Sequence, residues 1–172
     1  MTVSLSALNA LPESELAARL RDCCGSSRWI ARMLQERPFR SAEHLLSAAE
    51  QAWSQATPED WREAFDHHPR IGEQRPPSAV SAEATVWSAH EQARAATAHT
   101  GVRQELARAN AEYERRFGRI YIVCAAGLEA VEILADLRSR LANDPEVEQR
   151  IAAAEQARIT ALRLRKLIGH DL

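Results

Sequence analysis

The chain has 172 residues, a length typical of one domain with a single substantial core. Hydrophobic residues make up 45% and charged residues 27%, which is the composition of a soluble globular protein rather than a disordered or membrane protein. The formal net charge of −2 supplies no positive field for nucleic acid or an anionic membrane surface, so neither is expected as a partner.

Helical spacing and capping residues predict four helices before residue 66. Their apolar markers are, in order, Leu16 with Leu20, Trp29 with Met33, Leu45 with Trp53, and Trp61 with Phe65. Ser41 has the position of an N-cap for the third helix. The sequence Thr57-Pro58-Glu59-Asp60 combines a cap, a proline in the first turn and two acids near the positive end of the helix dipole, and it predicts the start of the fourth.

A stiff corner follows the fourth helix at His67-His68-Pro69-Arg70-Ile71-Gly72-Glu73. Pro69 removes a backbone donor and moves His68 out of the helical region, and Gly72 allows a sharp turn. Because an imidazole titrates near neutral pH, a histidine fixed here is a candidate for proton transfer. The alternative interpretation is an ordinary helix-ending turn with exposed polar residues.

A long helix is predicted from a cap at Ser81 to about Thr100-Gly101, with Val86 and Trp87 on its buried side. Ser88, Glu91 and Gln92 lie at i, i+3 and i+4, so they share another face of that helix. A hydroxyl, a carboxylate and an amide on one stripe form a hydrogen-bonding surface, which either lines a pocket or is simply solvated.

The segment Ile120–Ala126 interrupts the helical pattern of the second half. The next helix after Gly101 places Leu106, Asn110 and Tyr113 on one stripe and stops at Gly118. Residues 120–126 are apolar and rich in β-branched side chains, but no second strand exists to pair with them. We therefore expect a buried extended segment, followed by a helix that contains Val131, Leu134, Leu137 and Leu141.

The last helix is predicted from about Glu146 to Ile168 and carries apolar residues on more than one face. A helical wheel places Arg158 and Arg165 in one apolar arc with Val147 and Ile151, whereas Arg163 lies on the far side. An enclosed arginine needs a partner, although all three could also extend to solvent. The wheel alone does not identify the functional arginine.

Metal and cysteine chemistry are both disfavoured by the spacing of the ligand types. His90 and His99 lack the one-turn spacing of paired metal ligands, and no His-Glu-x-x-His motif occurs, so no metal is expected. The three cysteines, Cys23, Cys24 and Cys124, suggest free thiols in a reducing cytosol. The first residues lack the features of a secretion signal, so we expect a cytoplasmic location.

The motifs together resemble the family of 2-oxo-4-hydroxy-4-carboxy-5-ureidoimidazoline (OHCU) decarboxylases, which form (S)-allantoin in urate degradation. Each motif is weak, but the set occurs in the family's order over nearly the whole chain. The matching pieces are Cys23-Cys24-Gly25-Ser26 with Trp29, Arg37-Pro38-Phe39, Asp60-Trp61 with Phe65, His68-Pro69-Arg70-Ile71-Gly72, Trp87-Ser88 with Glu91-Gln92, Asn110 with Tyr113-Glu114, Arg116-Phe117-Gly118, Ile122-Val123-Cys124-Ala125, Ile159-Thr160 and Leu162-Arg163-Leu164.

The resemblance implies a role for each matching residue. His68 matches the catalytic histidine, Glu91 lies in the motif that holds the substrate, and Arg163 matches the family's arginine near the substrate. We expect all three to be catalytic. The residues implied in substrate binding are Pro69, Ser88, Ala89, His90, Glu91, Gln92, Ile122, Val123, Cys124, Ala125 and Ala126. His90 departs from the family pattern and would add a titrating group near the pocket.

The fold implied is all-α, a single-domain multi-helix bundle over residues 1–172 with one extended segment around 120–126. The resemblance also implies a small-molecule substrate (OHCU), a homodimer, and neither metal nor organic cofactor. A hydroxyisourate hydrolase domain is fused to some members, and we expect none within these 172 residues. Two other functions stay open, a helical metal-dependent hydrolase and a non-catalytic helical module that binds a small molecule.

Overall fold

The computed structural model describes residues 3–71, 81–93 and 99–169. These ranges contain helices and no strand, so the all-helical prediction is confirmed. The helices are α1 (Leu5–Ala10), α2 (Glu13–Cys23), α3 (Ser27–Gln35), α4 (Ala42–Ser54), α5 (Pro58–Phe65), α6 (Ala82–Glu91), α7 (Thr100–Phe117), α8 (Ala130–Arg140) and α9 (Pro145–Leu167). None of these helices is long and apolar enough to cross a membrane.

Serine side chains cap α4 and α6 at the two positions where the sequence predicts serine caps. The hydroxyl oxygens of Ser41 and Ser81 accept hydrogen bonds from the N–H groups of His44 and Ala84, at 3.1 and 3.0 Å. At the other end of α7, Gly118 adopts a left-handed conformation with φ of 67°, which ends that helix as its glycine predicts. These local signals fix the helix limits independently of the core.

The first compact unit comprises residues 1–64 and 157–172, within which α3 packs against both α2 and α4. Its buried side chains are large, and polar anchors hold them in place. The indole N–H of Trp29 donates to the carbonyl oxygen of Ala49 at 3.1 Å, so a buried ring also joins α3 to α4. Asn9 makes two hydrogen bonds to the main chain of Phe39, at 2.8 and 2.9 Å.

The second compact unit comprises residues 65–156 and contains the motifs of the candidate site except Arg163. Its core forms where α7 packs against α8. The Tyr113 ring is 4.6 Å from that of Phe117 and 5.4 Å from that of Tyr121, measured between centroids. The other buried members include Ile71, Leu106, Ala109, Val123, Ala125, Ile133, Leu134 and Leu137. The prediction of a single domain over residues 1–172 stays a prediction.

The helix predicted from Ser81 to Thr100-Gly101 is wrong in its length and in its buried side. The helix that follows Ser81 ends at Glu91, because Gln92 forms a turn. Residues 94–98 of the predicted helix lie outside the described residues, and α7 begins at Thr100. Val86, expected inside, is 64% exposed, whereas Ala84 and Ser88 are buried. The inward face of α6 is therefore set by small residues that allow close packing, rather than by its most apolar residue.

The apolar arc predicted for the last helix, which also included Leu164, is wrong except at that residue, which is buried. Val147 and Arg158 in that arc are exposed and Arg165 is half-buried, while the face of Arg163 is buried. The buried residues of α9 are Glu148, Ala152, Ala153, Gln156, Ile159, Thr160, Arg163, Leu164 and Leu167. Four of these nine are polar, which explains why a hydrophobicity wheel did not identify the buried side. In the preceding helix, Val131 is similarly exposed rather than part of the core.

Candidate active site

The histidine corner follows directly from the end of α5. That helix stops at Phe65, and the backbone N–H of His68 donates to the Phe65 carbonyl oxygen at 3.0 Å. His68 and Pro69 are half-buried and have no helical backbone. The predicted break is therefore present through Ile71, while Gly72 and Glu73 lie outside the described residues.

Two contacts from α7 hold the corner in the second unit. Asn110 donates from Nδ2 to the carbonyl oxygen of Ile71 at 3.1 Å. Arg70 forms a two-pronged pair with Glu114, with Nε 2.5 Å from Oε1 and Nη2 2.9 Å from Oε2. A planar fork of this kind restricts orientation as well as distance. The backbone on the C-terminal side of His68 is thus tied to a long helix.

The side chain that binds the His68 ring is Gln156, which sequence reasoning missed. Its Oε1 lies 2.7 Å from Nε2 of His68, and its side chain is fully buried in α9. A glutamine is normally assigned to a solvent-exposed face, so its residue type gave no reason to select it. The signal that could have found it is its place in the four-residue series of Glu148, Ala152 and Gln156.

The polar face of α6 is buried in part. Ser88 and Glu91 are 6% and 9% exposed, whereas Ala89 and His90 are exposed and Gln92 is half-buried. The interpretation of this stripe as a solvated surface is therefore wrong for Ser88 and Glu91. The carboxylate of Glu91 and the hydroxyl of Ser88 are thus largely kept from water, where polar groups require hydrogen-bond partners.

The extended segment 120–126 is confirmed as non-helical and mostly buried. Three of its main-chain groups are engaged within the second unit. Arg140 donates from Nη1 to the Ile122 carbonyl oxygen at 2.9 Å, the Cys124 N–H donates to Oε2 of Glu155 at 2.8 Å, and the Leu128 N–H donates to the Ala125 carbonyl oxygen at 3.0 Å. These bonds satisfy main-chain groups that a neighbouring strand would otherwise bond.

A buried hydrogen-bond network around Glu148 anchors the extended segment. Glu148, with no exposed side-chain surface, accepts from Nη2 of Arg140 at 2.5 Å, from the Tyr113 hydroxyl at 2.5 Å and from Nδ2 of Asn143 at 2.7 Å. The Arg140 guanidinium also lies 4.7 Å from the centre of the Tyr121 ring. One charged pair therefore joins α8 and α9 to residues 121 and 122.

The phenols of this network remain protonated donors. Burial raises the pKa of Tyr113, and its hydrogen bond to the Glu148 carboxylate raises that pKa further. Burial and the hydrogen bond to Asp136 raise the pKa of Tyr121 in the same way. Burial lowers the pKa of Arg140, but its hydrogen bonds to Glu148 and the charge of that carboxylate outweigh burial, and the net shift is upward.

Arg163 belongs to the first unit and is 4% exposed. Its Nη1 donates to the carbonyl oxygen of Asp22 at 3.1 Å. The neighbouring Cys24 thiol is fully buried, and burial raises its pKa to about 12, although the charge of Arg163 opposes the shift. The arginine is thus enclosed, and Cys24 is a protonated thiol rather than a nucleophile.

Helix α9 brings together two of the predicted pieces of the site. Its consecutive residues Glu155 and Gln156 contact Cys124 of the extended segment and His68 of the corner. Ser88, Glu91 and Gln92 lie in the same unit, and Arg163 lies in the other. Within the described ranges, no group of three His, Cys, Asp or Glu side chains could hold a metal ion. These contacts hold the His68 imidazole and the main chain of the extended segment in defined positions.

Comparisons with known proteins agree over most of the length. The family model described as OHCU decarboxylase matches residues 9–165. The chain is 41% identical over 148 residues to the uric acid degradation bifunctional protein TTL of Arabidopsis thaliana, which covers 86% of this chain and 45% of that protein. It is 41% identical over 61 residues to the 2-oxo-4-hydroxy-4-carboxy-5-ureidoimidazoline decarboxylase of Amia calva, covering 36% of this chain and 35% of that protein. The matched regions are therefore less than half the length of these curated relatives.

Two solved structures share the fold. A crystal structure of OHCU decarboxylase in the presence of (S)-allantoin superposes with a TM-score of 0.75 at 38% identity, covering 88% of this chain and 98% of that one. A crystal structure of (S)-allantoin synthase superposes with a TM-score of 0.72, covering 96% of this chain and 54% of that one. The second match, at 16% identity, shows a common fold only.

Proposed function

This chain belongs to the OHCU decarboxylase family, and on that basis we propose that it converts OHCU to (S)-allantoin in urate degradation without a metal or organic cofactor. The similarity to an OHCU decarboxylase solved in the presence of (S)-allantoin supports this substrate class. The observation that carries the proposal is the His68 ring, held at Nε2 by a buried amide on a corner closed by Pro69.

In the proposed reaction, the bond between the ring carbon and the carboxylate breaks and CO2 leaves. The bonding electron pair enters the conjugated imidazoline ring of the substrate, which is why no cofactor is chemically required. One proton is then added to one face of the ring. His68 supplies or relays that proton as a general acid/base, and the face from which it acts sets the handedness of the product.

Glu91 and Ser88, with Gln92, are proposed to orient the substrate and His68. Support comes from the burial of Ser88 and Glu91, since a carboxylate and a hydroxyl kept from water favour polar partners with fixed geometry. Their neighbours Ala89 and His90 are exposed. We propose that these two residues act at the rim of the site, where His90 adds a titrating group.

The extended segment is proposed to read the flat, amide-rich substrate through its main chain. Ile122, Cys124 and Ala125 each use one main-chain group within the protein. We propose that the main chain of residues 122–126 contacts the substrate ring, and that these three bonds hold the segment in the shape that this contact requires. Pro69 would complete the pocket by its rigid ring.

Arg163 is proposed to hold substrate oxygens and offset the negative charge that develops as CO2 leaves. Support comes from its burial and from its match to the family's arginine. Because guanidinium and ammonium groups differ in geometry, Arg163→Lys should lower kcat substantially although the charge is kept. Retention of full activity by Arg163→Lys, and by Arg163→Gln as well, would remove this residue from the mechanism.

The decisive experiment follows (S)-allantoin formation by circular dichroism, with OHCU generated in the cuvette from urate by urate oxidase and hydroxyisourate hydrolase. We expect His68→Asn to lower kcat by about 10²–10⁴-fold, the usual contribution of a general acid/base. The matched control is His99→Asn, at an exposed position that begins α7. Binding of allantoin by the wild-type protein without turnover of OHCU would instead indicate a binding module, and activity lost on chelation would indicate a metal enzyme.

A cytoplasmic homodimer is the proposed state of the protein. The resemblance to the family supports this assembly. Size-exclusion chromatography with light scattering would measure the mass against the 19.2 kDa of one chain. A monomeric mass at assay concentrations, with full activity, would contradict the dimer without affecting the proposed reaction.

A further inference from the structure

We propose that Gln156 is a positioning residue that fixes the ring orientation and the tautomer of His68. This inference rests on the proposed function, in which His68 exchanges a proton with the substrate. Its experiments nevertheless include one measurement that needs no substrate. Gln156 and His68 both lie in the second compact unit.

The geometry restricts both partners. Gln156 Oε1 is 2.7 Å from His68 Nε2, and the amide has no exposed surface. Its helix neighbours Ala152 and Ala153 are buried as well, and Glu155 is bonded to the main chain of Cys124. A side chain confined in this way keeps its hydrogen-bonding atom at one place. The imidazole, which sits beside a proline, therefore meets a fixed acceptor.

The chemistry of the amide selects one form of the ring. A carbonyl oxygen accepts hydrogen bonds and does not donate them, so Nε2 of His68 must carry a proton to bond with it. In neutral histidine only one ring nitrogen is protonated, which makes Nδ1 the basic nitrogen. We infer that the proton exchanged with the substrate is carried on Nδ1.

An uncharged partner also suits a group that must both take up and release a proton. A carboxylate in the place of Gln156 would favour the imidazolium and make its proton harder to release. Charged or titratable side chains next to His68 and Gln156 along the chain or bonded to their neighbours include Asp66, His67, Arg70 with Glu114, and Glu155. Glu114 and Glu155 are each bonded to another group, Arg70 and the Cys124 N–H.

The first test reads the tautomer directly. In protein labelled with ¹⁵N-histidine, long-range ¹H–¹⁵N correlation distinguishes a protonated ring nitrogen from a bare one, and the signals lost in His68→Asn identify the residue. Above the pH at which the ring becomes neutral, we expect protonated Nε2 and bare Nδ1. The reverse pattern would overturn the proposal, because the amide would then be donating to the ring.

The second test uses Gln156→Met, which has a similar volume but no carbonyl, and Gln156→Glu, which adds a charge. We expect Gln156→Met to give a mixture of tautomers and to lower kcat by about tenfold or more with little change in KM, a fraction of the full general acid/base effect. We expect Gln156→Glu to move the His68-dependent limb of the kcat/KM profile to higher pH by about one unit. Gln149→Met, at a half-buried glutamine of the same helix, is the matched control.

Failure of this inference is distinguishable from failure of the proposed function. If the wild-type protein has the expected tautomer but no activity on OHCU, the proposed function is rejected. The role of Gln156 in positioning the His68 ring then still stands. An active wild type whose two Gln156 variants keep the wild-type tautomer and pH profile would overturn the inference alone. If Gln156→Met does not fold, the tautomer in the wild-type spectrum and the pH profile of Gln156→Glu still test the inference.

Discussion

Arg140 and Glu148 form a salt bridge sealed from solvent, with Nη2 2.5 Å from Oε1 and side-chain exposures of 6% and 0%. The pair is also the anchor of the extended segment, because the same guanidinium binds the carbonyl oxygen of Ile122. The charge pair therefore links the stability of the second unit to the shape of the proposed substrate-binding segment.

Removing one member of this pair should be strongly destabilising. Arg140→Met would leave the Glu148 carboxylate buried without its counter-charge, and we expect a loss of about 3–5 kcal/mol in the free energy of unfolding. Arg150→Met is the matched control, because Arg150 and Glu146 form a pair in α9 at 3.5 Å that is 70% and 84% exposed. Urea unfolding of both variants measures the difference, and equal losses would contradict this account of Arg140.

Shortening Glu155 should weaken substrate binding without removing the catalytic groups. Glu155→Ala deletes the acceptor of the Cys124 N–H, so the segment loses one fixed point. We expect KM for OHCU to rise by about tenfold, which corresponds to one hydrogen bond to a charged group. Glu155→Gln keeps an acceptor oxygen and should recover most of the loss, and Glu146→Ala serves as an exposed control on the same helix. A KM unchanged in Glu155→Ala would show that the segment holds its shape alone.

The buried thiol of Cys24 should make the protein less stable in alkali. Burial raises its pKa from 9.0 to about 12, so between these values the unfolded thiol loses its proton while the folded one keeps it. The stabilisation is therefore complete below pH 9 and is lost as the pH rises towards 12. From pH 8 to pH 10, the wild type should lose about 1.4 kcal/mol more unfolding free energy than Cys24→Ala.

Tyr113 and Tyr121, whose pKa values are also raised, act in the same direction at high pH. They are present in both proteins, so their effect cancels in this comparison. Parallel losses of stability in the wild type and Cys24→Ala between pH 8 and pH 10 would contradict the prediction. Urea titrations at several pH values provide the measurement.

Arg119 is a candidate for stabilisation by replacement. Its Nε and Nη2 atoms are buried without a hydrogen-bond partner among the described residues, while its guanidinium lies 5.5–6.0 Å from the ring centres of Phe65, Tyr113 and Phe117. The two unmet donors together cost about 2–6 kcal/mol, against a gain of about 0.5–2 kcal/mol from contact with the rings. We therefore expect Arg119→Met to raise the free energy of unfolding by about 1 kcal/mol.

The matched control for that change is Arg116→Met. Arg116 also lies over the Phe117 ring, at 5.3 Å, but its Nη2 donates to the carbonyl oxygen of Asn143 at 3.0 Å. Its replacement should lower stability slightly, because a satisfied donor is lost. Thermal unfolding of the two variants compares them. A lower melting temperature for Arg119→Met than for the wild type would show that the ring contacts outweigh the unmet donors.

The sequence predicted the helical architecture well because its signals are local. Serine caps, a proline in the first turn and the left-handed glycine at Gly118 act within one helical turn, so each can be read without knowing the core. The segment 120–126 was identified for the same reason, from β-branched residues between helical patterns. Motif order then identified His68 and the α6 stripe as candidates.

The partners of those residues could not be predicted, because they depend on which faces meet in three dimensions. Gln156 and Glu148 are polar, and polarity assigns them to the surface. Val86 is apolar, and apolarity assigns it to the core, yet it is exposed and the smaller Ala84 is buried. Packing between helices also depends on side-chain size and on the surface of the neighbouring helix, and a helical wheel of a single helix shows neither.

Because Glu155 and Gln156 are consecutive residues, the contacts to Cys124 and His68 both depend on the register of α9. Inserting or deleting one residue earlier in that helix would rotate both side chains by about 100° about its axis, releasing Cys124 and His68 together. Loops elsewhere could change length and leave these contacts in place. The number of residues between Glu148 and Gln156 could not change without breaking them. We would therefore expect variation in length among relatives to spare this stretch of helix.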